Sequence, residues 1–299
     1  MKFKSWIASF RLKTLPLALS NTILGSCLAY AAGGFHWVVF VLAASTTVLL
    51  QILSNMANDY GDFVNGKDTV ERIGPKRMVQ SGEISRKSML KGIIVIGILC
   101  SITGVSLIWI GTWGIDIRDM LIFGILGIAA IAAAIKYTVG KNPYGYRGLG
   151  DIFVFIFFGL VGVIGTYFLH THTFQWDLLL PASALGFLST GVLNINNMRD
   201  YEADRNARKN TIVVAIGLKN AAWYHVFLVV GAMVFAVIYT LIHDQSMEKW
   251  LFILSIPLFF LNLKKVFTYQ DSMQLYPELG RLSLAILIFT LTFGIGLIL

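Results

Sequence analysis

Charged residues are scarce in this sequence. Only 13% of the 299 residues are Asp, Glu, Lys or Arg, whereas 56% are hydrophobic. A soluble globular domain needs about a quarter of its residues to be charged in order to cover its surface. The composition therefore excludes a soluble globule, a disordered chain and a secreted disulfide scaffold, and it indicates a polytopic membrane protein.

Cysteines and acidic residues are also few. The two cysteines, Cys27 and Cys100, lie in apolar runs and form no CxxC pair, so neither a disulfide framework nor a cysteine metal site is expected. The 16 acidic residues face 24 lysines and arginines, which gives a net charge of +8. In a membrane protein this excess is typical of basic loops on the cytoplasmic side, and we therefore expect no nucleic-acid partner.

Long apolar stretches are abundant. A bilayer core about 30 Å thick requires roughly 20 apolar residues per helix. On that criterion the sequence predicts an all-α membrane protein with nine transmembrane helices. The predicted spans are 15–33, 37–55, 91–114, 119–137, 151–170, 177–195, 222–242, 249–267 and 281–299.

Lysine and arginine are distributed unevenly between the two ends of these spans. When the loops are assigned alternately to the two sides of the membrane, only Arg118 and Lys249 fall on one side. All the other lysines and arginines fall on the opposite side. Basic residues are enriched in cytoplasmic loops. The sequence therefore predicts a cytoplasmic N-terminus and an external C-terminus.

One polar motif occurs twice at equivalent positions. The pattern N-x-x-x-D-Y begins at Asn55 and again at Asn196, and the same offset aligns the first four predicted helices with the next four. Because an offset of four spans preserves orientation, the two repeats are expected to be parallel. We expect a single membrane domain, 1–299, made of a four-helix repeat at 1–137, a second at 151–267 and a ninth helix at 281–299.

Each copy of the motif places oxygen ligands on one face of a helix, because residues about one and two helical turns apart lie on the same side. A solvated helix end would explain one such cluster, but two matched clusters favour a shared cavity. Carboxylate and amide oxygens suit Mg²⁺, which is usually held by one or two carboxylates plus substrate phosphate. The candidate metal ligands are Asn55, Asp59, Asp62, Asn196, Asp200 and Asp204, enough for two ions.

Basic residues follow both acidic clusters. Arg72, Lys76 and Arg77 come after the first cluster, and Arg205 and Lys209 come after the second. Each of these cations alone is typical of a cytoplasmic loop. Their joint position beside carboxylates suited to Mg²⁺ indicates a diphosphate-containing substrate.

These motifs resemble those of the UbiA superfamily of intramembrane aromatic prenyltransferases, whose members have nine transmembrane helices and two Asp-rich motifs. The similarity extends over essentially the whole chain. A third motif, Tyr137 to Lys141, is similar to the Y-x-x-x-K of that family. The resemblance implies that Mg²⁺ bound by Asp59, Asp62, Asp200 and Asp204 stabilises a leaving diphosphate, and that Lys141 and the nearby basic residues Arg72, Arg77, Arg205 and Lys209 contact it.

Within that superfamily the similarity is greatest to the group that prenylates 1,4-dihydroxy-2-naphthoate in menaquinone biosynthesis. It implies transfer from an all-trans polyprenyl diphosphate with loss of CO₂ and diphosphate, giving demethylmenaquinol. It also implies location in the bacterial cytoplasmic membrane, with the active site toward the cytoplasm and the prenyl tail among the membrane lipids. The alternatives are a related enzyme acting on 4-hydroxybenzoate or homogentisate, and a cation-coupled transporter.

Two details of the expected site remain open. The first metal site is completed by Asp62 if the helix continues, or by Asp68 if the following loop folds back, and we prefer Asp62. The aromatic rings of Tyr137, Tyr144 and Tyr146 are candidates for contacting the allylic cation and the acceptor, although belt tyrosines at a membrane interface are an equal alternative. The candidate acceptor-binding carboxylate is Asp151, for which a favourable charge at a helix start is the alternative.

Overall fold

The computed structural model describes residues 3–67, 76–243 and 246–299. All the regular secondary structure in these ranges is helical, with no strand. Nine helical segments of this described part are long and apolar enough to cross a membrane. The predicted fold class is therefore confirmed, and the chain is an integral membrane protein. The division into two repeats remains a prediction.

The helices are named in chain order. Several spans combine an α-helix with a 3₁₀ or π segment: Phe155–Ile164 is a π-helix within the fifth span, and Met247–Ser255 is a 3₁₀-helix that begins the eighth. The α-helices are α1 Phe3–Phe10, α2 Leu15–Ala31, α3 Trp37–Val64, α4 Arg86–Gly111, α5 Ile117–Lys136, α6 Gly150–Val154, α7 Gly165–Thr171, α8 Leu179–Arg199, α9 Tyr201–Asn206, α10 Ile212–Ile242, α11 Ile256–Thr268 and α12 Tyr276–Ile298.

Two helices, α3 and α10, extend furthest beyond their predicted spans. The second span was predicted to end at 55, but α3 continues to Val64, because Met56, Ala57 and the polar residues of the first motif are buried against the protein. The seventh span begins at Ile212 rather than 222. The hydroxyl of Thr211 caps its first turn, and Gly217, with a φ of +79°, kinks it. Both extensions carry polar residues that hydropathy alone excludes from a span.

The core lies mainly among α2, α8, α10, α12 and the fifth and eighth spans, where α8 is the most buried of the nine spans. A smaller apolar cluster joins α1, α3 and α4. In contrast, α4 and α5 expose large apolar side chains such as Ile102, Val105, Ile125 and Ile128. Lipid tails are as apolar as these side chains, so the exposed faces suit contact with the bilayer.

Candidate active site

The two acidic motifs meet at one ammonium group. The Nζ atom of Lys209 lies 3.2 Å from Oδ1 of Asp62, in the last turns of α3, and 3.5 Å from Oδ1 of Asp204 in α9. All three residues are buried. This central cluster of Asp62, Lys209 and Asp204 brings together one carboxylate from each motif, as the sequence analysis predicted.

Asp62 has two further partners. It pairs with the guanidinium of Arg77, and both side chains are almost completely buried, at 3% and 4% exposure. It also accepts a 2.6 Å hydrogen bond from the hydroxyl of Tyr146. Burial, and then the negative charge of Asp62, raise the pKa of Tyr146, so this hydroxyl stays protonated and remains a donor. The ring of Tyr146 lies 5.1 Å from the Lys209 ammonium, within cation–π range.

Asp59 holds the backbone of the segment that carries Arg77. Its carboxylate accepts hydrogen bonds from the amides of Met78, at 2.8 Å, and Val79, at 3.3 Å. Carboxylates that accept backbone N–H bonds form some of the stronger hydrogen bonds in proteins. Asp59 therefore fixes the chain so that Arg77 reaches Asp62 one turn along α3.

Asp200 lies at the break between α8 and α9. Arg199 donates to both of its oxygens, Nε to Oδ1 at 2.8 Å and Nη2 to Oδ2 at 2.6 Å, and its Nη2 also reaches Oδ1 of Asn196 at 2.8 Å. Both charged side chains are buried. The sequence analysis counted Arg199 only as a topology charge, although its place between Asn196 and Asp200 in the motif was a signal of this role.

Asn55 has a different environment from its counterpart Asn196. Its Nδ2 atom donates to the Phe10 carbonyl at 2.9 Å and to the Thr14 hydroxyl at 3.0 Å, so it ties the N-terminal segment to α3. This amide is buried but faces α1 rather than the central cluster. The structure thus gives Asn55 a structural contact, while its predicted role as a metal ligand remains a prediction.

The predicted cations divide into two groups. Arg77 and Lys209 lie at the acidic side chains. Arg205 and Lys141 are exposed, and Lys141 forms no hydrogen bond or ion pair with the other described residues. The remaining predicted cation, Arg72, and the alternative metal ligand Asp68 lie outside the described residues. One cation that was not predicted, Lys67, donates its ammonium to the Ala207 carbonyl and so links the ends of α3 and α9.

The turn between α5 and α6 packs closely on the first motif. A side-chain carbon at Gly61 would lie 2.6–2.7 Å from atoms of Thr138, so only glycine permits this approach. The Thr138 hydroxyl lies 3.1 Å from the Ala57 carbonyl, and the Asn65 amide donates to the Thr138 carbonyl at 2.7 Å. This packing holds the segment that delivers Tyr146 to Asp62.

The other two predicted aromatic residues contact each other and a phenylalanine. Tyr137 contacts Tyr144 edge to face at 5.4 Å, and Tyr144 stacks on Phe153 at 4.0 Å. Burial raises the pKa of both phenols, so they remain neutral. Asp151 is buried beside them and accepts a 3.2 Å hydrogen bond from the hydroxyl of Tyr224, a residue the sequence analysis did not identify.

The donor atoms of the central cluster suit Mg²⁺. Among the described residues there is no group of three or more Asp, Glu, His or Cys side chains arranged to hold a metal ion. Mg²⁺ does not require one, since one or two carboxylates and substrate phosphate oxygens commonly complete its shell. Asp62 and Asp204 already share a cation, the Lys209 ammonium, and this arrangement of two carboxylates around one positive charge fits a divalent ion.

Comparisons with known proteins show which family the sequence resembles. The sequence model of the UbiA prenyltransferase family matches residues 18–284. The chain is 44% identical to the 1,4-dihydroxy-2-naphthoate octaprenyltransferase of Haemophilus influenzae and 43% identical to that of Escherichia coli (strain K12). Each match covers 99% of this chain and 96% of the relative.

Solved structures share the fold. A UbiA homolog from Aeropyrum pernix K1 superposes with a TM-score of 0.71 at 15% identity, over 94% of this chain and 97% of that chain. A UbiA homolog from Archaeoglobus fulgidus bound to GPP and Mg²⁺ superposes with a TM-score of 0.59 at 15% identity, over 95% of this chain and 99% of that one. With the family match over most of its length, the chain belongs to the UbiA prenyltransferase family.

Proposed function

We propose that this protein transfers a polyprenyl group from an all-trans polyprenyl diphosphate to 1,4-dihydroxy-2-naphthoate. CO₂ and diphosphate are released and demethylmenaquinol is formed. The observation that carries the proposal is the meeting of the two acidic motifs, through Asp62 and Asp204, at the buried Lys209 ammonium. The choice of acceptor is supported by relatives that carry this activity in their names and are 43–44% identical over nearly the whole chain.

The proposed metal ligands are the carboxylates of the two motifs, assisted by the neighbouring amides. Two Mg²⁺ ions, when bound, would neutralise the negative charge of the departing diphosphate. The ligands we propose are Asp59, Asp62, Asp200 and Asp204, with Asn55 and Asn196 beside them.

Three buried cations are positioned to act on the diphosphate. Arg77, Arg199 and Lys209 pair with the carboxylates and neutralise them, which allows several acidic groups to stay buried together. Each carries N–H donors that can turn to phosphate oxygens, and donors oriented before the reaction stabilise developing negative charge. The exposed Lys141 and Arg205 are proposed to contact the diphosphate from the solvent side. Arg72 is proposed as a further diphosphate-binding residue.

The acceptor is proposed to bind beside Asp151. The Tyr224 hydroxyl holds that carboxylate in place, and a naphthol hydroxyl of the acceptor is suited to donate to its free oxygen lone pairs. The rings of Tyr137 and Tyr144 present aromatic faces to the allylic cation, a contact worth about 0.5–2 kcal/mol. No general base is required at the attacked carbon, because loss of the carboxylate as CO₂ replaces loss of a proton.

The proposed orientation places the N-terminus and the active site at the cytoplasmic side and the C-terminus outside. Its test is a single cysteine at Gln175 or at Asn206, in a Cys27→Ala/Cys100→Ala background, treated with an impermeant thiol reagent on intact cells. We expect labelling at Gln175 only. Labelling at Asn206 only would reverse the orientation.

The proposed reaction is tested by product analysis. Purified protein is incubated with Mg²⁺, a polyprenyl diphosphate and, in separate reactions, 1,4-dihydroxy-2-naphthoate, 4-hydroxybenzoate and homogentisate, and the products are identified by mass. We expect prenylated, decarboxylated naphthoate and no turnover in the Asp59→Asn and Asp200→Asn variants. Loss of one oxyanion-stabilising group typically lowers kcat about 10²–10³-fold. The proposal would be contradicted if 4-hydroxybenzoate or homogentisate gave a prenylated product and 1,4-dihydroxy-2-naphthoate gave none. Near-normal turnover in both variants would also contradict it.

A further inference from the structure

A groove opens between α11 and α12 on the outer surface of the helix bundle. Where the eighth span begins, its 3₁₀ segment Met247–Ser255 is in close contact with α12, because a side chain at Gly296 would meet the backbone of Glu248. Toward the other end they leave a space of about 420 Å³, bordered by Leu261 and Leu284, which are both exposed. This volume lies within the range of about 300–1,000 Å³ that is typical of small-molecule sites.

The lining of the α11–α12 groove changes chemistry along its length. Its deeper part is apolar and is formed by Leu258, Leu261, Leu284 and Ile288. Its mouth lies next to the short turn that joins the two helices and carries Lys264, Lys265 and Arg281. A phospholipid in the bilayer has the same arrangement, with a polar headgroup at the membrane surface and apolar acyl chains toward the middle. The groove matches it with basic residues at the helix ends and an apolar slot toward the middle of the span.

The mouth of the groove has an excess of positive charge. Its one carboxylate, Glu278, is 3% exposed and accepts from Nη1 of Arg281 at 2.7 Å and from Nδ2 of Asn262 at 3.0 Å. Arg281 therefore balances Glu278. The charges of Lys264 and Lys265 remain, and no carboxylate other than Glu278 lines the groove among the residues that the structure describes.

A buried network holds the wall of the groove. The Oδ1 atom of Asn262 lies 2.9 Å from Nε2 of His225 in α10, and the Nδ2 atom of the same amide donates to Glu278 in α12. Three helices are thus joined behind the groove by side chains that are nearly or fully buried. A wall held in this way loses little conformational freedom when a ligand binds.

We propose that the α11–α12 groove binds one anionic phospholipid, with an acyl chain along Leu258, Leu261 and Leu284 and the phosphate at Lys264 and Lys265. Basic pockets between transmembrane helices are known to suit anionic lipid headgroups. A soluble anion would use the lysines but leave the apolar slot unused. The site lies on α11 and α12, separate from the central cluster on α3 and α9, and it is independent of the proposed prenyl transfer.

The test compares lipid binding by native mass spectrometry. Purified, delipidated full-length protein is titrated with phosphatidylglycerol and with phosphatidylcholine of identical acyl chains. We expect a preference for phosphatidylglycerol that falls about 30-fold in Lys264→Gln/Lys265→Gln, since each basic residue near a membrane surface contributes about 1 kcal/mol, or about fivefold. The matched control, Lys87→Gln/Lys219→Gln, removes two exposed lysines outside the groove and should keep the preference.

The position of the bound lipid is tested on the protein without substitutions, so that a folding defect in a variant cannot decide the result. Phosphatidylglycerol with a photoreactive acyl chain should label peptides covering 256–268 or 276–288. The proposal is overturned by equal affinity for the two lipids, by an equal loss in the control variant, or by labelling confined to other helices. It is also overturned if glycerol phosphate without acyl chains displaces the bound lipid, because the site would then belong to a soluble anion.

Discussion

The buried ion pair between Asp62 and Arg77 predicts a distinctive stability change. In Asp62→Asn the new amide keeps an oxygen for the Tyr146 hydroxyl, so the substitution mainly removes a charge. Lys209 retains Asp204, but the ion pair between Arg77 and Asp62 is lost where the Arg77 side chain is only 4% exposed. Removal of one partner from a buried ion pair costs about 3–5 kcal/mol. We expect Asp62→Asn to lower the free energy of unfolding by that amount.

Two control variants separate this effect from others. Lys76 pairs with Glu83 at 2.6 Å, but its side chain is 63% exposed, so Lys76→Met should cost about 1 kcal/mol or less. Among the described residues, the Asp59 carboxylate accepts from two backbone amides, and an asparagine there still offers one oxygen, so Asp59→Asn should cost about 1 kcal/mol. The double variant Asp62→Asn/Arg77→Met should be more stable than the sum of its single changes by at least about 1 kcal/mol.

The assay is unfolding of the purified protein in detergent micelles by SDS titration, followed by far-UV circular dichroism. The prediction requires Asp62→Asn to be clearly less stable than Asp59→Asn, although both should lack turnover. If Asp62→Asn costs no more than Lys76→Met, or if the double variant is strictly additive, the buried pair does not stabilise the fold as argued.

Further outcomes concern the substrates and the metal. Lys209→Gln should raise the KM for the prenyl donor more than Lys141→Ala does, because the Lys209 ammonium lies between Asp62 and Asp204 whereas Lys141 is exposed. The measurement is steady-state kinetics at saturating Mg²⁺, and the opposite order of the two KM values would contradict this prediction. Tyr224→Phe should raise the acceptor KM about fivefold and leave the donor KM unchanged, because it removes one hydrogen bond to Asp151 that is worth about 1 kcal/mol. An equal change in both KM values would argue against an acceptor-binding role for Asp151. Chelation of divalent cations should stop product formation, and added Mg²⁺ should restore it without a change in helical circular dichroism; a loss of helix on chelation would instead indicate a structural metal.

Part of the site could be anticipated from local patterns. Spacing of about one helical turn places Asp59 and Asp62 on one face, and this holds because α3 continues through the motif. The matching motif at Asp200 and Asp204 predicted a partner face, and the structure brings Asp62 and Asp204 to the same ammonium. A repeated motif is visible in sequence because it depends only on spacing along the chain.

The pairing of individual charges could not be anticipated in the same way. Lys209 and Lys141 are equivalent as basic loop residues, and only the packing of the segments after α9 and α5 buries the first and exposes the second. Tyr144 and Tyr146 are two residues apart in one short 3₁₀-helix, yet one stacks on Phe153 and the other reaches Asp62. Such outcomes depend on the orientation of a turn, which no periodicity encodes.

The sequence by itself determined that the protein spans a membrane, because the bilayer thickness sets the length of an apolar run. The described part of the chain contains the nine long apolar helices that these runs predict. It also drew attention to the acidic residues of the two motifs, of which Asp62 and Asp204 meet at one ammonium. Only the tertiary structure decided which distant cations contact the carboxylates of the two motifs: Arg77 at Asp62, and Lys209 between Asp62 and Asp204. The physical reason is distance. Helix formation and membrane insertion depend on neighbouring residues, whereas these ion pairs join residues up to 147 positions apart and exist only after the helices have packed.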